Sequence, residues 1–295
     1  MTWNNAFIEL GVTIASRELL LAVGATSRAL ASAVHGGHLL RVRRDHYALP
    51  NTSRSIVQAV RIGGRIAGLT DLAHAGIFAI SRDLTYVHLE RTASRLRHPI
   101  DSHALLTSRR RDGVETNWSP LFDRHDGNEV SVGTRDALAQ VLIGQDFRHA
   151  VASLDNALFL GAIDLTELRE IFGHVPQRLA PLLSRVNGRA EAGQETMLRL
   201  LFEDAGLHCE IQITFAGIGR VDIVVEGIVV VEADSRLAHD GWELHIRDRD
   251  RDINLARLGH PSLRPAYQRT MQNPSDVLEA VLGLLAAAGH FRVQL

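Results

Sequence analysis

Residues 210–234 read EIQITFAGIGRVDIVVEGIVVVEAD, and the fold of the last third of the chain turns on them. Three short runs rich in isoleucine and valine, broken by glycine-containing segments, predict three successive strands, with Glu226-Gly227 as the turn between the second and third. Upstream, AEAGQETMLRLLFEDAGL at 190–207 places Met197, Leu198, Leu200, Leu201 and Ala205 at helical spacing, and Gly206 is positioned to end that helix. Downstream, HIRDRDRDINLARLG at 245–259 predicts a helix with Ile253, Leu255 and Leu258 on its buried side. The resulting order is helix, three strands, helix.

Acidic residues interrupt this apolar framework. Asp222 lies inside the run VDIVV, while Glu232 and Asp234 occupy alternate positions at the end of the third strand and so share a face. Clustered carboxylates repel one another in a poorly solvated site unless a cation neutralises them. Oxygen ligands suit Mg2+ or Mn2+ rather than zinc, and His239, five residues beyond Asp234, is placed to act as a base or as a donor to phosphate. A register condition follows. A strict two-residue turn at Glu226-Gly227 would leave Asp222 and Glu232 on opposite faces, whereas a three-residue loop or a bulge pairs them; the second arrangement is expected.

The remaining sequence frames this region. A length of 295 residues suggests two or three domains. No apolar run is long enough to cross a bilayer, and the lone Cys209 fits a reducing cytoplasm. The chain contains no lysine; residues 1–120 hold fifteen arginines against nine acids, and residues 121–295 hold seventeen against twenty-five. Residues 1–50 predict three short helices, with Ser16 and Thr26 or Ser27 as caps, then a basic hairpin around Arg44-Asp45. That pattern suits a winged helix whose third helix enters the major groove with Arg28, while Arg41, Arg43 and Arg44 on the wing approach phosphates. Residues 51–190 predict a mainly helical middle domain, with helices near 53–60, 69–75, 134–144, 155–160 and 164–171 and one strand near 85–89. Pro176, Pro181 and Asn187-Gly188 mark a boundary before a third domain at 191–295.

Gln194-Glu195 at a helix start, Gln212, Asp222, Glu232-x-Asp234, His239, Asp248, Arg251-Asp252 and Leu255 together resemble the Vsr-like domain of the PD-(D/E)xK restriction-endonuclease superfamily. The upstream part is similar to AbiEi-antitoxin-type N-terminal regions fused to such domains. The resemblance implies a multidomain α+β protein: a winged helix at 1–50, a helical middle region, and a C-terminal α/β restriction-endonuclease-like fold with a mixed sheet flanked by helices. It implies that Asp222 and Glu232 hold the metal with help from the Ala233 carbonyl, and that Glu195 binds through water or a second metal. Asp234 stands where many relatives have lysine, which leaves water activation to the metal or to His239. Gln212 and Asp248 would support the ligands from behind. Arg236, Arg247, Arg249 and Arg251 lie close in sequence and could hold the flanking DNA backbone, although each taken singly is expected in a surface salt bridge with Asp248, Asp250 or Asp252.

The expected function is metal-dependent DNA cleavage, with DNA as partner, Mg2+ or Mn2+ as cofactor, no membrane association, and a cytoplasmic, nucleoid-associated location. A homodimer is compatible with the sequence. The alternative is a DNA-binding regulator or antitoxin whose nuclease-like domain is catalytically silent.

Overall fold

The computed structural model describes residues 2–80, 83–107, 112–233 and 242–289. Within them the protein is mixed α+β, with three small sheets, none closed into a barrel. No helix among the described residues is long and apolar enough to cross a membrane. The chain divides into two compact units, 1–143 and 144–295.

The first unit begins with α1 (Trp3–Leu10), β1 (Ile14–Ser16), α2 (Arg17–Ala22), α3 (Ser27–His35), β2 (Leu40–Arg43) and β3 (His46–Ala48). The Ser16 hydroxyl accepts from the Leu19 amide at 3.1 Å, and that of Thr26 accepts from Ala29 at 3.2 Å, so each short helix starts on a side-chain cap. Strand β3 lies between β1 and β2, antiparallel to both, and β2 carries an irregularity between Arg41 and Arg43. Phe7, Leu20, Leu30, Ala33, Leu39 and Tyr47 form the core under the helices. Helix α1 buries only Ala6 and Phe7, and its Ile8 is 77% exposed.

A second sheet follows, built from β4 (Arg65–Ile66), β5 (Thr85–His88) and β6 (Val114–Asn117), with β5 in the middle, antiparallel to β4 and parallel to β6. Helices α4 (Arg54–Ile62), α5 (Gly68–His74) and α6 (Thr134–Gly144) accompany it. Ile14, Val42 and Ala48 of the first sheet share a second core with Ile56, Ile62, Ile66, Val87 and Val114, beside the core that the helices of residues 1–50 form with Leu39 and Tyr47. The middle region also carries a sheet, of which the sequence indicates only β5. Strands β4 and β6 are too short to show alternation.

The second unit starts with α7 (Phe147–Phe159), α8 (Leu165–His174) and a 3-10 helix (Gln177–Arg185). Helix α9 (Gly193–Asp204) comes next, then β7 (Cys209–Phe215), β8 (Gly219–Val225), β9 (Val229–Val231), α10 (Trp242–Arg257), β10 (Ser262–Leu263), α11 (Tyr267–Gln272) and α12 (Pro274–Ala287). Fully buried Asp155 on α7 accepts hydrogen bonds from Thr196 (2.7 Å) and Arg199 (3.0 Å) of α9 and from the Asn187 amide (2.6 Å), tying residues 144–190 to the last third.

The sheet of this unit runs β10-β9-β8-β7 and is mixed: β7, β8 and β9 are antiparallel neighbours, and β10 pairs parallel with β9. Leu198 and Phe202 of α9 and Val277, Val281 and Leu285 of α12 pack with Ile211, Ile223, Val225, Val229 and Val231. Leu255 of α10 packs with Val221, Val224 and Val230 instead. Residues 229 and 231 thus belong to one layer and 230 to the other, as strand alternation requires. Of the three apolar residues expected to bury α10, only Leu255 does so; Ile253 and Leu258 are each 59% exposed.

A candidate carboxylate and arginine site

Strands β8 and β9 pair Val225 with Val229, Val224 with Val230 and Ile223 with Val231. Glu226, Gly227 and Ile228 therefore form a three-residue connection, the arrangement expected from the acid positions. Glu226 and Gly227 both adopt left-handed φ, at 52° and 66°, and the Ile228 amide returns to the Val225 carbonyl at 2.9 Å, leaving Ile228 as the extra residue. Continued by one step, the register sets Asp222 opposite Glu232.

On the other edge of β8, Ile211 pairs with Ile223 and Ile213 with Val221, which places Gln212 across from Asp222. Gln212 has φ of 57°, a conformation that costs an L-residue about 1 kcal/mol. The inversion breaks the pleat: Ile211 and Ile223 belong to one layer, Ile213 and Val221 to the other. Gln212, Asp222 and Glu232 thus sit side by side on three neighbouring strands, with the inverted residue at one end of the row.

Glu195, in the first turn of α9, reaches this row from the helical layer. Its carboxylate accepts from the amides of Glu191 (3.1 Å) and Ala192 (3.0 Å) and from Nε2 of Gln212 (2.8 Å), so it also closes the start of its own helix. Burial, reinforced by the charge of Asp222, pushes the Glu195 carboxyl up to about 7. The Asp222 carboxylate accepts from the Ala233 amide at 2.9 Å; burial raises it above the usual carboxylate range, against that hydrogen bond and the field of Arg251, Arg220 and Arg264. Glu232 is raised by burial as well, with Asp222 adding to the rise and Arg264 and Arg251 opposing it. Asp222 is the central acid, sensed by the other two.

Glu232 has a partner for each oxygen. Arg251 from α10 lies 2.7 Å from Oε1, and Arg264, just past β10, lies 2.7 Å from Oε2. Arg264 also holds Asp252 at 3.1 Å, and Arg251 donates to the Arg220 carbonyl. Among the described residues, no three Asp, Glu, His or Cys side chains gather as a metal cluster. The expected ligand set is therefore not assembled as it stands: Glu195 is occupied by three donors, Glu232 by two guanidinium groups, and the Ala233 carbonyl accepts from Gln194 Nε2 at 2.9 Å. The amide Oε1 atoms of Gln194 and Gln212 are buried without a hydrogen-bond partner. Unpaired amide acceptors near Asp222 and Glu195 are oxygen donors of the kind a hard, hydrated divalent cation takes, while Arg251 and Arg264 occupy Glu232.

Asp234, Arg236 and His239 lie outside the described residues. Arg247 and Asp248 belong to α10, where side chains are described from residue 249 onward. Arg264 is a site residue that sequence reasoning misses. Its residue type is visible, but its place beside Glu232 depends on the parallel pairing of β10 with β9.

In the first unit, Arg28 on α3 and Arg41 on β2 are exposed, and Arg44 lies 3.6 Å from Asp45 at the tip of the hairpin. Arg43 differs from the others. Its guanidinium rests on Gly63, where a Cβ would collide with it, and it lines a cavity of about 340 Å³ with Arg65, His46 and His88. It is therefore less exposed than Arg28, Arg41 and Arg44.

No family model matches this chain, and no curated protein matches it. Among solved structures, it is similar to the Rv2827c protein from Mycobacterium tuberculosis at 14% identity, covering 65% of this chain and 78% of that one, with a TM-score of 0.33.

Proposed function

We propose that the protein is a divalent-metal-dependent DNA endonuclease, docked on duplex DNA by a winged helix near its N-terminus and cutting with a restriction-endonuclease-like domain near its C-terminus. One observation carries the reading: Asp222 and Glu232 are set opposite each other by the three-residue connection, with Glu195 brought against Asp222 from α9. The element order α9, three antiparallel strands, α10, then β10 parallel to β9 supports that domain reading. The order of α1 to β3, with α3 exposing Arg28 and β2 exposing Arg41, supports the winged helix.

Asp222 and Glu232 would hold Mg2+ or Mn2+, with Glu195, Gln194 and Gln212 lining the approach. When bound, the ion supplies a Lewis acid and lowers the pKa of a coordinated water. The chain's own part is to position. Ala233 orients Asp222 through its amide, Gln212 fixes Glu195, and Arg251 and Arg264 supply positive charge beside the acids. Incubating supercoiled DNA with purified protein and Mg2+ or Mn2+ tests the proposal; metal-dependent nicking or linearisation, lost in Asp222→Ala, is expected, and inert wild-type protein rejects it.

A second reading is favoured by the paired arginines on Glu232. They neutralise the residue a metal would need, as in a DNA-binding regulator or antitoxin whose nuclease-like domain is silent. In that case DNA binding is salt-dependent and indifferent to chelator and to Glu232→Ala.

A further inference from the structure

We infer that Arg251 and Arg264 form an exchangeable pair, held on Glu232 without DNA and moving to a backbone phosphate when DNA binds, so that DNA itself frees Glu232 for the metal. This inference rests on the nuclease reading and adds the regulation of that site.

The geometry is reciprocal. Each Glu232 oxygen has its own guanidinium at 2.7 Å, which leaves no unshielded oxygen for a dication. Bringing a divalent ion onto the same carboxylate would place it next to two fixed positive charges in a partly desolvated site, where like-charge repulsion is strong. Conversely, removing the arginines with nothing in exchange leaves buried carboxylates uncompensated. A phosphodiester solves both problems, because a guanidinium fork fits phosphate oxygens as well as carboxylate oxygens.

Both arginines have what an exchange needs. Their side chains are about one-quarter exposed, against 11% for Glu232, so a polyanion reaches them before it reaches the acid. Arg264 keeps an anchor on Asp252 and Arg251 one on the Arg220 carbonyl, so each guanidinium can turn without losing every partner. Arg251 Nε is buried and makes no hydrogen bond in this state, a donor left over by the present arrangement. Gln194, 2% exposed, keeps Oε1 unpartnered beside Ala233, an acceptor left over on the metal side. One orphan donor and one orphan acceptor match an incoming anion and an incoming cation.

The test is Mn2+ binding, read from the electron paramagnetic resonance signal of the free ion, on the full chain with and without a short nonspecific duplex. For wild type, the duplex is expected to tighten Mn2+ binding by about tenfold, within the usual range for coupled sites. Arg251→Gln with Arg264→Gln is expected to bind Mn2+ tightly without DNA and to gain little from it. Should the double variant melt early, each single variant carries the same expectation at reduced size. Equal Mn2+ affinity with and without duplex for wild type, or no tightening in the variants, overturns the exchange while leaving metal-dependent cleavage standing. Absence of Mn2+ binding in every protein, with DNA present, removes the nuclease reading and the exchange together.

Discussion

The Asp222 carboxylate accepts the Ala233 backbone amide at 2.9 Å, across the ladder that joins β8 to β9. This bond holds the central acid against the end of β9, beside Glu232, while burial raises the cost of its charge. Asparagine preserves an acceptor for the amide and removes the charge.

Asp222→Asn is therefore expected to melt no lower than wild type yet to lose metal-dependent cleavage by at least about a hundredfold, the scale of losing a charged group that acts on the transition state. Thermal melting and plasmid nicking read the two effects separately. A variant that cleaves normally contradicts the assigned role.

Exposed Arg28 and Arg41 should each weaken DNA binding when changed to alanine, reducing the slope of log affinity against log salt by about 1 for each arginine–phosphate pair removed. Arg43→Ala should leave that slope unchanged and lower stability instead, since its guanidinium packs on Gly63. Fluorescence anisotropy over a salt series distinguishes these outcomes.

His88 is 3% exposed, with no hydrogen bond to either ring nitrogen, and burial pulls its pKa down to about 4. The folded state disfavours its protonation, so its contribution to stability is full above the unfolded value near 6.5 and is lost as pH falls toward 4. That contribution is on the order of 3 kcal/mol. Denaturant unfolding of wild type and His88→Phe between pH 7 and pH 4 should give a shallower pH dependence for the variant.

Removing Asp155 leaves Arg199, 4% exposed, without its buried partner and the Thr196 hydroxyl without its acceptor. Asp155→Ala should cost about 3–5 kcal/mol, measured by chemical denaturation, as expected for an unpaired buried charge. A loss under about 1 kcal/mol would show that Arg199 finds sufficient compensation in Glu203 and the Arg185 carbonyl.

Local physics made part of this molecule legible. Ser16 and Thr26 at helix starts, the Arg44-Asp45 turn, the run from 134 to 144 and the three valine-rich strands each carry their signal within a few residues, through capping, turn stereochemistry or periodicity. The spacing of Asp222 and Glu232 around Glu226-Gly227 was enough to pose the register condition, because side-chain direction alternates along a strand.

Only the tertiary structure decided the rest. Strands β1, β4, β6 and β10 span two to four residues, too few for a period, and exist because a neighbour supplies their hydrogen bonds. The buried Asp155–Arg199 pair joins α7 to α9 across residue 190, a contact with no local signal in the chain. The pairing of Glu232 with Arg264 also required β10 to return beside β9. Sequence determines which groups are acids and arginines and how they alternate. Which acid meets which arginine is set by long-range packing, since the energy of such a pair depends on distance and desolvation, and neither is a local property of the chain.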